Sequence, residues 1–95
     1  MTAKETTHIL HDEGQIASIT KRLKRAHGQI GAIVRMLEEG RSCDDVVMQM
    51  AAVGKAINTA VFALISASLT ECIADPAIDS DAMTQNLQEL FLSLA

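Results

Sequence analysis

Apolar residues in the first long segment recur at alternating spacings of three and four. They are Ile16, Ile19, Leu23, Ala26, Ile30, Ile33 and Leu37. This period places them on one face of a helix and is typical of a coiled-coil seam. We expect a first helix over residues 13–39, ended by Gly40 in the left-handed conformation that glycine tolerates.

The second segment, residues 43–73, is apolar around much of its circumference. The apolar positions are Val46, Val47, Met50, Val53, Ile57, Val61, Leu64, Ile65 and Leu69. A helix of this kind must be buried on several sides, so we expect partner subunits to cover part of it. Ser42 can cap its start, and Asp44 and Asp45 in its first turn suit the helix dipole.

A third, shorter helix is predicted after Pro76, with Asp79 or Ser80 as its cap. Its apolar face would comprise Met83, Leu87, Leu90, Phe91 and Leu94. No hairpin dipeptide or two-residue alternation indicates a strand, so the predicted class is all-α. Residues 1–12 show no hydrophobic period and are expected to form a flexible arm before a single domain over residues 13–95.

Composition favours an oligomer of such chains. The 95 residues are 48% hydrophobic but include only two Phe, no Tyr and no Trp, so the core must be aliphatic. So short a chain buries a modest fraction of its surface alone. The longest strictly apolar run, Ala60 to Ile65, is far shorter than the ~20 residues of a membrane helix, and we expect a cytoplasmic protein without a membrane span.

The two cysteines, Cys43 and Cys72, lie 29 residues apart within the second predicted helix. That spacing is about eight turns, so both sulfurs share one face but are separated by roughly 43 Å. Two copies packed antiparallel about an axis near Ile57 and Asn58 would place Cys43 of one chain opposite Cys72 of the other. In a reducing compartment such a pair indicates metal ligands or redox-active thiols, although buried free cysteines also pack as small hydrophobes.

Charge is segregated along the chain. The net charge is −4, yet residues 14–37 carry +5 with no acid. Within them lie Lys21, Arg22, Lys24 and Arg25, which form a cationic stripe on the first helix. A solvated face is the alternative, but such faces usually mix in acidic residues. The stripe therefore favours phosphate contacts with double-stranded DNA.

Histidines add further candidates. His27 and Gln29 follow the basic run and can reach DNA, although an exposed His27 of no function is an equal alternative. His8 and His11 have a spacing at which two imidazoles can share a metal ion, and the arm can fold back onto a dithiol site. Solvated histidines in a terminal arm are the more common case.

Three runs of sequence resemble the copper-sensitive operon repressor (CsoR) family. They are KRLKRAHGQI at residues 21–30, MLEEGRSC at 36–43 and QMAAVGKA at 49–56, and Lys55 in the last joins the candidate DNA contacts. The resemblance implies a three-helix protomer, an antiparallel four-helix-bundle dimer and a homotetramer. It also implies operator DNA that is released when an inducer reacts at the cysteines of the second helix.

The inducer depends on which branch of that family the chain resembles. Copper sensors use Cys, His and Cys, whereas this chain has Cys43, Ser68 and Cys72, and a hydroxyl is a poor ligand for Cu(I). Nickel/cobalt sensors have His at both later positions, and formaldehyde sensors have Pro where this chain has Thr2. Persulfide sensors (the CstR-like branch) keep both cysteines without the middle His and fit best.

The resemblance therefore implies a thiol-based sensor of persulfides or polysulfides that needs no cofactor. One thiolate would attack the outer sulfur of a persulfide and be resolved by the thiolate of the other subunit. The alternative is a repressor responsive to Cu(I) or another transition metal, bound by Cys43 and Cys72 with His8 or His11. An enzyme is not indicated, because no nucleophile–base pair or phosphate loop is present. A purely structural oligomer would leave the acid-free stripe unexplained.

Overall fold

The computed structural model describes residues 8–75 and 80–93, and within them the chain forms three helices. These are α1 (Glu13–Glu38), α2 (Cys43–Ala74) and α3 (Ser80–Leu92). The all-α class and the three-helix order are confirmed, and the first two helices end within one residue of the predicted positions. Thr2, Pro76, Asp79, Leu94 and the side chain of Ser80 lie outside the described part.

The turn between α1 and α2 has the predicted glycine and cap. Gly40 adopts a φ of 74°, and its N–H donates to the carbonyl of Leu37 at 3.2 Å. The N–H of Arg41 donates to the carbonyl of Met36 at 2.9 Å, which completes a Schellman motif. The Oγ of Ser42 accepts the N–H of Asp45 at 3.2 Å and so caps α2.

Residues 17–61 form one compact unit, in which α1 packs against the first part of α2. The buried positions follow seven-residue rows on both helices. They are Ile19, Ala26 and Ile33 on α1 and Val46, Val53 and Ala60 on α2. The alternate seam positions of α1, Leu23, Ile30 and Leu37, are 44–61% exposed in the single chain. One half of the predicted seam therefore serves the protomer core, and the other half is unpartnered in one chain.

The second unit combines residues 8–16 with residues 62–75 and 80–93. Cys72 and Met83 are its fully buried side chains, at 0% and 1% exposure. Phe62 and Phe91 meet edge to face at 6.0 Å beside an apolar groove of about 520 Å³ between α2 and α3. The predicted apolar face of α3 is thus buried at Met83 but still 52% exposed at Leu90.

By length and composition α2 is also able to cross a membrane. Its most apolar window has a mean hydropathy of 1.5, and 22% of that window is buried in the single chain. The count of strictly apolar residues did not indicate this, because polar and small residues interrupt the runs. One such helix is weak support for a membrane span, since the core helix of an oligomer has the same character.

Two glycine-to-alanine substitutions are expected to change stability in opposite directions. Gly40→Ala forces a Cβ into the left-handed region and should lower the free energy of unfolding by about 1–2 kcal/mol. Gly28→Ala lies within α1, where an added Cβ meets no atom within 4 Å among the described residues, and should raise it by about 0.5–1 kcal/mol. Denaturant unfolding at one fixed protein concentration measures both. A destabilising Gly28→Ala would mean that a helix of another copy packs closely against that glycine.

Candidate DNA-binding surface and sensor cysteines

Two clefts open beside the basic run of α1. The larger, about 360 Å³, is formed by Arg22, Arg25, Ala26 and Gln29 of α1 with Ala52, Lys55, Ala56 and Thr59 of α2. The smaller, about 230 Å³, is formed by Ser18, Lys21, Arg22 and Arg25. Arg22 and Arg25 line both clefts, and neither cleft has an acidic lining residue in the described part of the chain. The two clefts together form a continuous cationic surface, called here the basic surface.

Helix geometry explains which candidates the basic surface includes. At 100° per residue, Lys21, Arg22, Arg25 and Gln29 fall on one side of α1, next to the row that packs on α2. Lys24 and His27 are exposed but line neither cleft. Lys55 of α2 lies across the larger cleft from the arginines. The structure therefore brings five of the seven predicted DNA contacts together and leaves Lys24 and His27 apart from them.

The two cysteines occupy contrasting environments in α2. Cys43 is the first residue of the helix and is exposed, whereas Cys72 is completely buried near the other end. Burial raises the pKa of the Cys72 thiol, and the negative charges of Glu71 and Asp75 raise it further. Because the thiolate is the reactive form, Cys72 is a poor nucleophile in this conformation. Cys43, by contrast, is open to solvent.

Ser68 lies one helical turn before Cys72 and is also buried, at 6% exposure. A copper site would need an imidazole at position 68. This chain has the small hydroxyl of Ser68 there, buried in the same unit as Cys72. Within the described residues, no three His, Cys, Asp or Glu side chains are grouped as a metal site.

Glu71 makes polar contacts with residues about sixty positions away, and sequence reasoning missed them. Its carboxylate accepts hydrogen bonds from the backbone N–H of His11 at 2.9 Å, the backbone N–H of Asp12 at 2.6 Å and the ring Nε2 of His8 at 2.8 Å. The rings of His8 and His11 meet edge to face at 5.9 Å. Residues 8–12, which belong to the predicted flexible arm, are thus tied to α2 beside Cys72. Residues 1–7 of that arm lie outside the described part.

Asp12 connects the hydrogen bonds at Glu71 with the start of α1. The Oδ1 of Asp12 accepts the N–H of Gln15 at 3.0 Å, which makes Asp12 the N-cap of α1. The sequence carried a signal for this cap, because Asp12 is followed three residues later by Gln15, just before the first apolar position at Ile16. Nothing local pointed to Glu71, because its partners are about sixty residues away along the chain.

The hydrogen bonds to Glu71 predict an acid-dependent contribution to stability. They lower the pKa of Glu71, chiefly through the backbone N–H of His11, despite the opposing effect of burial. A carboxylate with a lowered pKa in the folded state contributes stability at pH values above the ordinary pKa of Glu. That contribution is lost as the pH falls through the pKa of the folded state. Glu71→Gln should therefore lower the thermal midpoint at pH 7, and the difference from wild type should shrink in acid. Glu89→Gln, at an exposed carboxylate of α3, is the control and should show no such trend.

Most of the chain matches a known protein family. Searches of curated proteins and of solved structures gave no match. A family described as metal-sensitive transcriptional repressor matches residues 13–93, which include all three helices, the basic surface and both cysteines. The match extends well beyond the three runs on which the resemblance rested, and the chain belongs to the metal-sensitive transcriptional repressor family.

Proposed function

We propose that this repressor releases operator DNA when a reactive sulfur species links Cys43 of one chain to Cys72 of its partner. The observation that carries this proposal is that one continuous helix, α2, holds both thiols near its opposite ends. A link between them must therefore join two chains. Membership of a repressor family supplies the DNA partner and a role in regulation rather than catalysis.

The assembly that we propose is an antiparallel dimer that pairs into a homotetramer. Its support is the apolar surface that a single chain leaves exposed. On α1 this surface is the half-seam of Leu23, Ile30 and Leu37, and on α2 it includes Val47, Met48, Met50, Phe62 and Leu64. Exposed apolar area of this extent, which on α1 follows a seven-residue row, is what a helix of a second copy covers in a four-helix bundle.

The basic surface is the proposed contact with operator DNA. Arg22 and Arg25 line both clefts, so each can contact phosphates, with Lys21 and Lys55 at the two margins. Gln29 is the one uncharged hydrogen-bonding group on α1 that the larger cleft includes and can read a base edge or a sugar. A cytoplasmic location follows from this partner, and α2 is then an assembly helix rather than a membrane span.

The sensing chemistry is thiol–persulfide exchange. The Cys43 thiolate attacks the outer sulfur of a persulfide RSSH, so that Cys43 becomes a persulfide and RS⁻ leaves. The Cys72 thiolate of the partner then attacks the inner sulfur of that persulfide, which gives a disulfide and releases HS⁻. If both cysteines are persulfides, the same displacement gives a trisulfide. The exposed Cys43 and the buried, less acidic Cys72 support this order of attack.

Release of DNA follows if the linked and unlinked dimers present the basic surface differently. A covalent link stabilises whichever arrangement brings Cys43 and Cys72 together, and DNA stabilises the other. The fully buried Cys72 supports two such arrangements, since its sulfur must become accessible before a partner can reach it.

Copper(I) is the second candidate inducer. Two thiolates across a subunit boundary suffice for linear Cu(I), and His8 or His11 can approach from the arm that Glu71 holds near Cys72. Against it stands the buried hydroxyl of Ser68 where a third, imidazole ligand would be needed. Ser68→His should therefore increase the copper response while leaving the persulfide response nearly intact.

DNA binding should depend on the clefts rather than on charge alone. Arg25→Ala and Arg22→Ala are expected to weaken binding to an operator duplex, selected by the wild-type protein from a random pool. Each should flatten the log–log salt dependence by about one unit per lost phosphate contact. Lys24→Ala removes one charge from the same helix outside the clefts and should change both quantities less. Equal effects of Lys24→Ala and Arg25→Ala would contradict the proposed surface.

The inducer should be identified by operator release with persulfide, Cu(I), Ni(II) and formaldehyde compared side by side. The persulfide donor is expected to release DNA and to give dimers on non-reducing gels, with Cys43 and Cys72 peptides joined through two or more sulfurs. Cys43→Ala and Cys72→Ala should each abolish the joined peptides. Release by stoichiometric Cu(I) with no response to persulfide would favour the copper reading instead.

A further inference from the structure

Cys72 must be reached by a partner's Cys43, yet no part of its side chain is exposed in the single chain. Burial at this point is local to the unit formed by residues 8–16 with residues 62–75 and 80–93. Two described segments of that unit are candidates for the cover of Cys72. They are α3, which carries the buried Met83, and residues 8–12, which we call the strap. The strap differs from α3 because its attachment is polar and is concentrated on one residue.

That attachment is made by Glu71, the residue next to Cys72. Its two carboxylate oxygens accept hydrogen bonds from the backbone of His11 and Asp12 and from the ring of His8. The contact is well enclosed, with side-chain exposures of 6% for His8 and 21% for Glu71. The strap continues directly into α1 through the cap at Asp12. Opening it therefore breaks several hydrogen bonds at one carboxylate but does not require a helix to unfold.

We propose that the strap is a gate over Cys72, held shut by Glu71, which makes the sensor react in a fixed order. Reactive sulfur first modifies the exposed Cys43, and Cys72 serves as the resolving thiol only after the strap has opened. The gate protects Cys72 from persulfides and oxidants in free solution and reserves it for the modified Cys43 of a partner. The order rests on the proposed function, whereas the gate itself is a property of the single chain.

Alkylation of Cys72 tests the gate without sulfur donors or DNA. In a Cys43→Ser background Cys72 is the only thiol, and its reaction with iodoacetamide can be followed by mass spectrometry across a pH series. The alkylation rate rises with pH to a plateau as the thiol ionises. The rate at the plateau reports access to the sulfur, and the midpoint, the pH at half of the plateau rate, reports the pKa of the thiol. This separation is needed because removing Glu71 also removes a negative charge beside Cys72.

Glu71→Ala should raise the plateau rate about tenfold or more, since it removes every strap contact of that carboxylate. His8→Ala keeps the charge of Glu71 and the backbone contacts, and should give a smaller increase in the same direction. Glu89→Ala is the matched control and should leave the plateau unchanged. Amide hydrogen exchange at His11 and Asp12 should accelerate in Glu71→Ala, which shows that the strap has opened while helix content is retained.

An unchanged plateau in both Glu71→Ala and His8→Ala would overturn the gate and leave α3 as the cover of Cys72. A change in the midpoint alone would also overturn it, because Glu71 would then act only through its charge. Failure of the interchain link in wild type is a separate result that would remove the proposed function. In that case the alkylation rates would still decide whether the strap covers Cys72.

Discussion

The continuity of α2 is the constraint on which the remaining structure depends. A helix that runs unbroken from Cys43 to Ala74 separates its two cysteines by roughly 43 Å along the axis. Any chemistry shared by the two thiols must therefore occur between chains. The same helix leaves large apolar side chains exposed in the single chain, and the partner that we propose would cover them.

Much of the fold was readable from the sequence because its determinants are local. The helical period of α1, Gly40 after its last turn and Ser42 before α2 each act within a few residues. The helix, the left-handed glycine and the cap are all observed. The division of the seam was not readable. A heptad pattern indicates that Ala26 and Leu23 lie on one apolar face. Only the structure shows that Ala26 is buried against the chain's own α2, whereas Leu23 is exposed.

The sequence predicted which residues form the candidate site but not their burial or their contacts. The spacing of the cysteines and the acid-free basic run identified the thiols and the cationic helix. The hydrogen bonds of Glu71, the residue next to Cys72, are made with residues about sixty positions away, and no local signal encodes such contacts. Lys24 was placed on the cationic stripe as a neighbour of Arg25, whereas the larger cleft includes only residues on the side of α1 that faces α2. The accessibility of Cys72 is thus a property of the tertiary structure.

The most direct test of the account mixes two variants that are each incapable of forming the link. Cys43→Ala chains keep only Cys72, and Cys72→Ala chains keep only Cys43, so neither can join these two residues alone. In an antiparallel mixed dimer one complete pair is restored. After refolding together and treatment with a persulfide donor, mass spectrometry should find peptides of Cys43 joined to peptides of Cys72. Their absence from the mixture, under conditions in which the wild type forms them, would contradict the intersubunit site.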